Sequence, residues 1–200
     1  MKTIQTIVYS FNELNEDAKE TAINNYRNNN TEIFWANENR QSMEKFAELF
    51  PIKITNWSYG GRGEGVSFEF NADYDEIEYL SGQRLATYIW NNYKNEIYTK
   101  KYYSICNGIK NCVGVNSKSR RSKIQLDEFG CVFTGFYMDN EILAPIFDFM
   151  RKKNENTTFK DLLNECFEAW ITACNNDIDS QNTDEYISEN LESNDYEYTE

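Results

Sequence analysis

The stretch Tyr59–Phe70 reads Tyr-Gly-Gly-Arg-Gly-Glu-Gly-Val-Ser-Phe-Glu-Phe, and the rest of the chain is interpreted around it. Four of the nine glycines fall between Gly60 and Gly65, and alternating apolar residues run from Val66 to Phe70. Glycine adopts positive φ without steric cost, and an alternating run is typical of a strand. Because a second apolar run, Ile52–Trp57, comes just before, the sequence predicts an antiparallel hairpin with the glycines at its tip.

A glycine-rich backbone can also turn successive N–H groups toward a phosphate. Here the spacing matches neither G-x-x-x-x-G-K-[ST] nor G-x-G-x-x-G, and a strand rather than a helix follows. Glu64 would also repel an approaching anion. We therefore favour a structural turn, and we take Arg62 and Glu64 at its tip as candidate contacts with a partner.

The amino-acid composition argues against an enzyme. The chain of 200 residues is long enough for one domain with a substantial core, and 16% of it is aromatic. It contains no histidine, which removes the commonest general base and the commonest zinc ligand. We expect no catalytic residues, no metal and no cofactor. Five cysteines without C-x-x-C spacing predict reduced thiols packed as small apolar residues: Cys106, Cys112, Cys131, Cys166 and Cys174.

The net charge of −13 is unevenly distributed along the chain. Residues 94–123 contain 8 Lys and Arg against 1 acidic residue, whereas residues 175–200 contain 9 acidic residues and no Lys or Arg. Such a charge repels free nucleic acid and attracts a basic surface on another protein. The charge pattern therefore predicts a protein partner, with direct nucleic-acid binding disfavoured.

The periodicity of apolar residues predicts an α+β fold in which five to six helices pack a small antiparallel sheet. Asn15 and the pair Thr158 and Asp161 have the chemistry of helix starts. We predict one domain over residues 1–174 and an acidic extension with a short helix, packed on or near it, over 175–200. The predicted strands lie near residues 3–11, 52–58, 65–71, 123–127 and 131–136.

Several helices have a distinct apolar stripe. The first helix has Leu14, Ala18, Ala22 and Tyr26 on one face. The clearest stripe belongs to the helix of residues 159–174. For the second helix, the predicted buried stripe consists of Phe34, Trp35, Met43, Phe46, Ala47 and Phe50.

Two other segments suggest binding sites. Asp73, Asp75 and Glu76 resemble a cation loop, but they lack EF-hand spacing and also suit the start of a helix. The basic segment predicts either a flexible loop that balances the acidic remainder or a nucleic-acid site that combines cations with stacking tyrosines. The residues of that second interpretation are Tyr102, Tyr103, Lys118, Arg120, Arg121 and Lys123.

Three short motifs occur in order over nearly the whole chain. They are Tyr9-x-Phe11-x-Glu13-Leu14 with Ala18-Lys19 and Ala22, then Gly65-Val66-Ser67-Phe68, then Asp184–Ile187 leading to Leu191–Glu200. Together they resemble a family of uncharacterised small proteins common in bacteriophage genomes and often labelled antitoxin of a toxin-antitoxin stability system. The resemblance implies a phage or prophage accessory protein, and it transfers no catalytic residue.

An acidic accessory protein of a phage is expected to act by binding a host protein. We predict an anti-CRISPR-like inhibitor whose carboxylates imitate phosphates and block the nucleic-acid-binding surface of a defence effector, such as a CRISPR nuclease complex. An antitoxin that covers a toxin, or an acidic tail that only solubilises, is the alternative. The predicted partner-binding residues are Asp177, Asp179, Asp184, Glu185, Glu189, Glu192, Asp195 and Glu197.

The chain opens without an apolar run long enough for a signal peptide or a membrane span. The sequence therefore predicts a protein of the bacterial cytoplasm that makes no contact with the membrane.

Overall fold

A computed structural model describes residues 7–29, 34–71, 76–106, 109–110, 118–127, 131–194 and 196–199, with the backbone alone over the strands of 99–127. The chain divides into two compact units. We call Met1–Ala36 together with Asn175–Glu200 the terminal unit, and Asn37–Cys174 the central unit. The sequence predicted a break after residue 174 but grouped residues 1–36 with the central domain. In the structure the two ends of the chain form one unit.

Six α-helices and seven strands lie within the described residues. The helices are α1 (Glu16–Asn29), α2 (Ala36–Leu49), α3 (Gly82–Ile97), α4 (Met138–Arg151), α5 (Phe159–Gln181) and α6 (Asp184–Ser193). The strands are β1 (Val8–Tyr9), β2 (Ile52–Ser58), β3 (Gly65–Phe70), β4 (Thr99–Cys106), β5 (Ile109–Lys110), β6 (Lys118–Asp127) and β7 (Tyr198–Thr199). They form small antiparallel sheets ordered β1–β7, β2–β3 and β5–β4–β6. The predicted helix-rich α+β class is confirmed.

Side-chain caps determine where three of the helices begin. Asn15 Oδ1 accepts a hydrogen bond from the Ala18 N–H at 2.9 Å, as predicted for α1. Thr158 and Asp161 form the predicted reciprocal box before α5, with both backbone N–H groups donating at 3.1 Å. Thr183 Oγ1 accepts from an N–H in the first turn of α6 at 3.3 Å. Each cap satisfies an N–H group that has no partner inside its helix.

The core of the central unit is rich in aromatic residues. Phe46 of α2 and Phe167 of α5 meet edge to face, with ring centroids 5.4 Å apart. Burying a side chain of this size contributes about 1.5–3 kcal/mol relative to leaving it in water. The stripe predicted for α5 is buried as a whole, apart from the half-buried Ile171: Phe159, Leu162, Leu163, Cys166, Phe167, Trp170 and Cys174.

The glycine-rich stretch forms the tip of the hairpin predicted from it. Strands β2 and β3 pair antiparallel, with a register shift between Ile54 and Asn56. Gly60 and Gly63 have φ values of 77° and 80°, which L side chains rarely adopt. These two glycines close the turn, and a side chain at either position would strain the backbone.

Residues 131–136 are not a strand, and the prediction for them is wrong. The buried carboxylate of Asp139 accepts hydrogen bonds from three successive N–H groups, those of Phe133 at 2.8 Å, Thr134 at 2.7 Å and Gly135 at 3.2 Å. N–H groups that converge on one carboxylate cannot pair with a neighbouring strand. The segment therefore forms a turn that leads into α4.

The basic segment consists mostly of strands where the structure describes it, so its interpretation as an irregular loop is wrong there. It contains β4, β5 and β6, with Thr99 of β4 opposite Asp127 of β6 and β5 on the other edge of β4. The predicted strand at 123–127 is the end of the longer strand β6. The threonine, tyrosines and isoleucine of β4 favour an extended backbone, and this preference outweighs the charge of the segment.

The terminal unit has its own small core. Phe11, Ala22, Ile187 and Leu191 are buried together, so that α1 packs against α6. Strand β1 pairs with β7 and joins the two ends of the described chain. Of the strand predicted near residues 3–11, residues 7–11 are described: Val8–Tyr9 form β1, and Phe11 begins a short 3-10 turn.

Two residues predicted for the buried stripe of the second helix lie outside that helix. Helix α2 begins at Ala36, and Phe34 and Trp35 precede it with 54% and 49% of their surfaces exposed. The prediction fails because the helix starts one turn later than the apolar pattern suggests. The remaining members of that stripe are buried: Met43, Phe46, Ala47 and Phe50.

Candidate functional site

The negative charge of the protein is concentrated in the terminal unit. By sequence this unit contains 3 Lys and Arg against 14 Asp and Glu, a net charge of −11 out of −13. The central unit contains 17 Lys and Arg against 19 Asp and Glu, a net charge of −2. A surface of this kind attracts cationic partners and repels anionic ones. The surface of the terminal unit is therefore the candidate functional site.

Most of the predicted acidic contact residues are on this surface. They are distributed over the last turns of α5, the length of α6 and the segment that ends in β7. Asp177 is half-buried, and Asp195 lies outside the described residues. The exposed members of the predicted set are Asp179, Asp184, Glu185, Glu189, Glu192 and Glu197.

Helix α6 has one apolar side and one acidic side. Ile187 and Leu191 are only 1% and 3% exposed. Residues three or four positions apart share one face of a helix, so Glu185, Glu189 and Glu192 form a single row. All three are exposed. We call these three glutamates the α6 row.

Asp184, in contrast, is engaged within the unit. It pairs with the Arg27 guanidinium, whose Nε donates to the Asn182 carbonyl at 3.2 Å and whose Nη1 donates to Asn24 Oδ1 at 2.9 Å. Arg27 thus connects α1 to the end of α5 and the start of α6. Because this guanidinium neutralises part of its charge, Asp184 is a weaker candidate contact than the α6 row.

A pocket of about 640 Å³ lies between α1 and α6 and extends the acidic surface. Its wall includes carboxylates of α1 that are not among the predicted contact residues, because acidic residues near a helix start also suit the helix dipole. The spacing of Glu16 and Glu20, four residues apart, was the available signal. The charged residues that line this pocket are Glu16, Asp17, Lys19, Glu20, Arg27, Asp184 and Glu192.

A second groove, of about 700 Å³, runs along α1. Leu14, Ala18, Ala22 and Tyr26 line it, and these four residues are the face predicted from the sequence. Tyr198 from β7 lines it as well, and burial raises the pKa of its phenol. The face is thus partly covered by the C-terminal residues of the same unit.

The glycine-rich turn belongs to the central unit, and its polar groups bond to one another. Glu64 Oε1 accepts from the Gly61 N–H at 2.9 Å, and Ser58 Oγ donates to the Gly63 carbonyl at 2.9 Å. The carboxylate therefore occupies the position that an anion would need, which supports the structural interpretation. Arg62 is exposed at the tip and stays a candidate contact.

The basic residues proposed for nucleic-acid binding lie on paired strands. Tyr102 and Tyr103 belong to β4, whereas Lys118, Arg120, Arg121 and Lys123 belong to β6. The register places Tyr103 opposite Arg120. Directly opposed residues on antiparallel strands are near neighbours. The sheet thus brings an aromatic and a basic position together in a way that a loop would not.

The acidic cluster considered for a cation falls mostly beyond what the structure describes. Asp73 and Asp75 lie outside the described residues, and Glu76 is exposed. Across the residues that are described, no three His, Cys, Asp or Glu side chains come together in a way that could hold a metal ion.

Two neighbouring residues of α5 in the central unit have raised pKa values. Burial raises the pKa of Glu165, and Asp161 and Glu168 add to the effect. Burial also raises the pKa of the Cys166 thiol well above its usual range. A thiol buried in the core stays protonated and unreactive, so Cys166 has the packing role predicted for it.

No protein-family model, no curated protein and no solved structure matches this chain. Within the described part of the chain, no helix has both the length and the apolar character that crossing a bilayer requires.

Proposed function

We propose that the protein is a phage-encoded, non-enzymatic inhibitor of a bacterial defence system. In this proposal the terminal unit docks onto the nucleic-acid-binding surface of a host effector, such as a CRISPR nuclease complex, in the bacterial cytoplasm. Its exposed carboxylates compete with phosphates for the same Lys and Arg side chains.

The observation that carries the proposal is the concentration of charge. A net charge of −11 belongs to one compact unit, and three of its glutamates form the exposed α6 row. Phosphates along one strand of a duplex repeat at about 3.4 Å per nucleotide, and a helix rises about 1.5 Å per residue. Glutamates three and four residues apart on a helix have Cβ atoms about 5–6 Å apart, so the α6 row presents closely spaced negative charges to a groove lined with cations.

Neutralising the α6 row should weaken binding to the host effector. We expect the triple variant Glu185→Gln, Glu189→Gln, Glu192→Gln to raise the dissociation constant by about 10–100-fold, because three charge pairs of about 0.5–1 kcal/mol each are lost. The salt dependence of binding should also become shallower. The measurement is affinity capture from a lysate, followed by titration of the recovered effector at several salt concentrations.

A matched control neutralises three exposed glutamates of the central unit, Glu69, Glu141 and Glu168. This control should bind as the unaltered protein does. In the decisive experiment, the purified effector is titrated with DNA or RNA in the presence of the protein, which should displace the nucleic acid. Recovery of a toxin would favour the antitoxin alternative, and an effector that keeps its nucleic acid would refute the proposal.

A second candidate function is direct nucleic-acid binding by the central unit. The observation in its favour is the sheet β5–β4–β6, because single-stranded nucleic acid is commonly read by strands that combine aromatic residues with cations. Tyr103 opposite Arg120 has this combination at backbone level.

A gel shift with labelled single-stranded and duplex DNA and RNA separates the two candidates. Under the main proposal, we expect no retarded band at about 150 mM salt, because net repulsion dominates. A band that disappears in the Arg120→Ala, Arg121→Ala variant would select the second candidate. Lys152→Ala, Lys153→Ala, which alters two exposed cations just after α4, is the matched control.

A further inference from the structure

Two large aromatic side chains of the terminal unit are exposed side by side. Phe34 and Trp35 keep 54% and 49% of their surfaces in water. Their ring centroids are 6.1 Å apart, with an interplanar angle of 64°. Exposed aromatic pairs of this kind are unusual on a folded surface, and Trp is the residue type most enriched among the binding hot spots of interfaces.

The backbone at this pair is held in an unfavourable conformation. Trp35 has a φ of 65°, in the left-handed region that a bulky side chain rarely adopts. Such a conformation persists only where surrounding contacts impose it, and strained residues cluster at functional positions. The conformation points to a function for the pair, which the sequence pattern had assigned to the core.

The contact that holds the pair is the side chain of Gln181 at the end of α5. Its Oε1 accepts from the Phe34 N–H at 2.9 Å, and its Nε2 donates to the Phe34 carbonyl at 3.2 Å. The amide thus bonds both backbone groups of one residue, as a neighbouring strand would. Because both bonds are made to the backbone, they fix the position of the two aromatic residues whatever their side chains are.

Negative charge lies close to this holding contact along α5. Asp177 precedes Gln181 by four residues, so the two share one face of the helix. An arginine guanidinium can interact with an aromatic pair and with a nearby carboxylate at once, because it stacks on aromatic faces and pairs with carboxylates. A second copy of this chain would bring two units of net charge −11 together and would be repelled.

We propose that Phe34 and Trp35 are the aromatic anchor of the docking surface and receive an arginine side chain of a cationic protein partner. This inference rests on the proposed function, because it specifies what the acidic unit recognises. An aromatic anchor would favour arginine over lysine, whereas the net charge of the unit would attract both equally.

The probes are hexa-arginine and hexa-lysine peptides, titrated at low salt into protein labelled with ¹⁵N. The indole N–H signal of Trp35 is assigned from its loss in Trp35→Phe. We expect this signal to shift with hexa-arginine, which should bind several-fold tighter than hexa-lysine. Trp35→Ala should weaken hexa-arginine binding by about 3–10-fold and change hexa-lysine binding less than about twofold.

Trp90→Ala is the matched control, since Trp90 is also exposed, at 40%, but lies in the central unit with Lys94 Nζ 5.4 Å from its ring centroid. Its indole signal should not shift, and its replacement should leave both affinities unchanged. Equal affinity for the two peptides, or a Trp35→Ala variant that keeps the preference for arginine, would overturn the inference.

The α6 row variant separates this inference from the proposed function. If the row variant weakens both peptides while Trp35→Ala leaves the arginine preference intact, the acidic site stands and the anchor is wrong. If neither peptide binds the unaltered protein, the proposed function and the inference both fail.

Trp35→Gly tests for a merely structural role. It relieves the backbone strain, so the melting temperature should hold or rise by about 2 °C while the arginine preference disappears. A marked fall in melting temperature would instead assign Trp35 to the fold.

Discussion

Replacing Asp139 by alanine should lower the free energy of unfolding by about 3–5 kcal/mol. The carboxylate is fully buried and accepts hydrogen bonds from the backbone N–H groups of Phe133, Thr134 and Gly135. It also accepts from Thr134 Oγ1 at 2.9 Å. Removing it leaves several donors of this part-buried turn without their acceptor. The measurement is urea denaturation followed by far-UV circular dichroism.

Two further variants test this account of Asp139. Asp139→Asn has the same shape and keeps one acceptor oxygen, so it should lose less stability than alanine. Asp148→Asn removes an exposed carboxylate from the same helix, where it pairs with Arg151 at 2.8 Å, and should cost less than about 1 kcal/mol. Hydrogen exchange should accelerate at the Thr134 amide in Asp139→Ala. Unchanged protection of that amide would refute the role assigned to the carboxylate.

The features that the sequence predicted correctly are those decided within a few residues. The cap at Asn15 and the box of Thr158 and Asp161 depend on side chains next to the backbone groups that they satisfy. The hairpin β2–β3 depends on the glycines between two apolar runs. The buried stripe of α5 follows from helical spacing alone. Local chemistry and local periodicity therefore carry most of the predictable part of this fold.

The failed predictions concern partners that are not visible in a local pattern. Residues 131–136 have the apolar content of a strand, but the carboxylate of Asp139 takes their N–H groups. Phe34 and Trp35 have the spacing of a buried stripe, but the helix starts after them. In both cases, the partners of the backbone hydrogen bonds determine the local structure more strongly than the apolar character of the side chains does.

The candidate site was predictable in composition but not in arrangement. Nine carboxylates after residue 174 indicated an acidic surface from the sequence. The pairing of β1 with β7 adds the first residues of the chain to that surface, and with them Glu16 and Glu20. Only the structure shows that Asp184 is engaged by Arg27 whereas the α6 row is exposed. Long-range pairing of chain ends leaves no periodic signal in a single sequence.

Replacing Trp170 by alanine should lower the free energy of unfolding by about 3–5 kcal/mol. This side chain is fully buried, and its indole Nε1 donates to the Asn39 carbonyl at 2.9 Å. Its ring meets Trp57 and Tyr59 edge to face, with centroids 6.0 and 5.3 Å away. The change leaves a cavity and removes one edge-to-face contact between α5 and the end of β2. Urea denaturation with a circular-dichroism readout gives the value without relying on tryptophan fluorescence.

The variant Trp170→Phe separates the cavity from the hydrogen bond. Phenylalanine keeps most of the apolar volume but leaves the Asn39 carbonyl without its indole donor, so we expect a loss of about 1–3 kcal/mol, smaller than for alanine. Trp90→Ala, which removes an exposed tryptophan of the same unit, should cost less than about 1 kcal/mol. A Trp170→Ala protein as stable as Trp90→Ala would show that the aromatic core does not depend on this residue. It would also mean that the glycine-rich hairpin is held to the central unit by other contacts, since Trp57 and Tyr59 would have lost their edge-to-face partner without consequence.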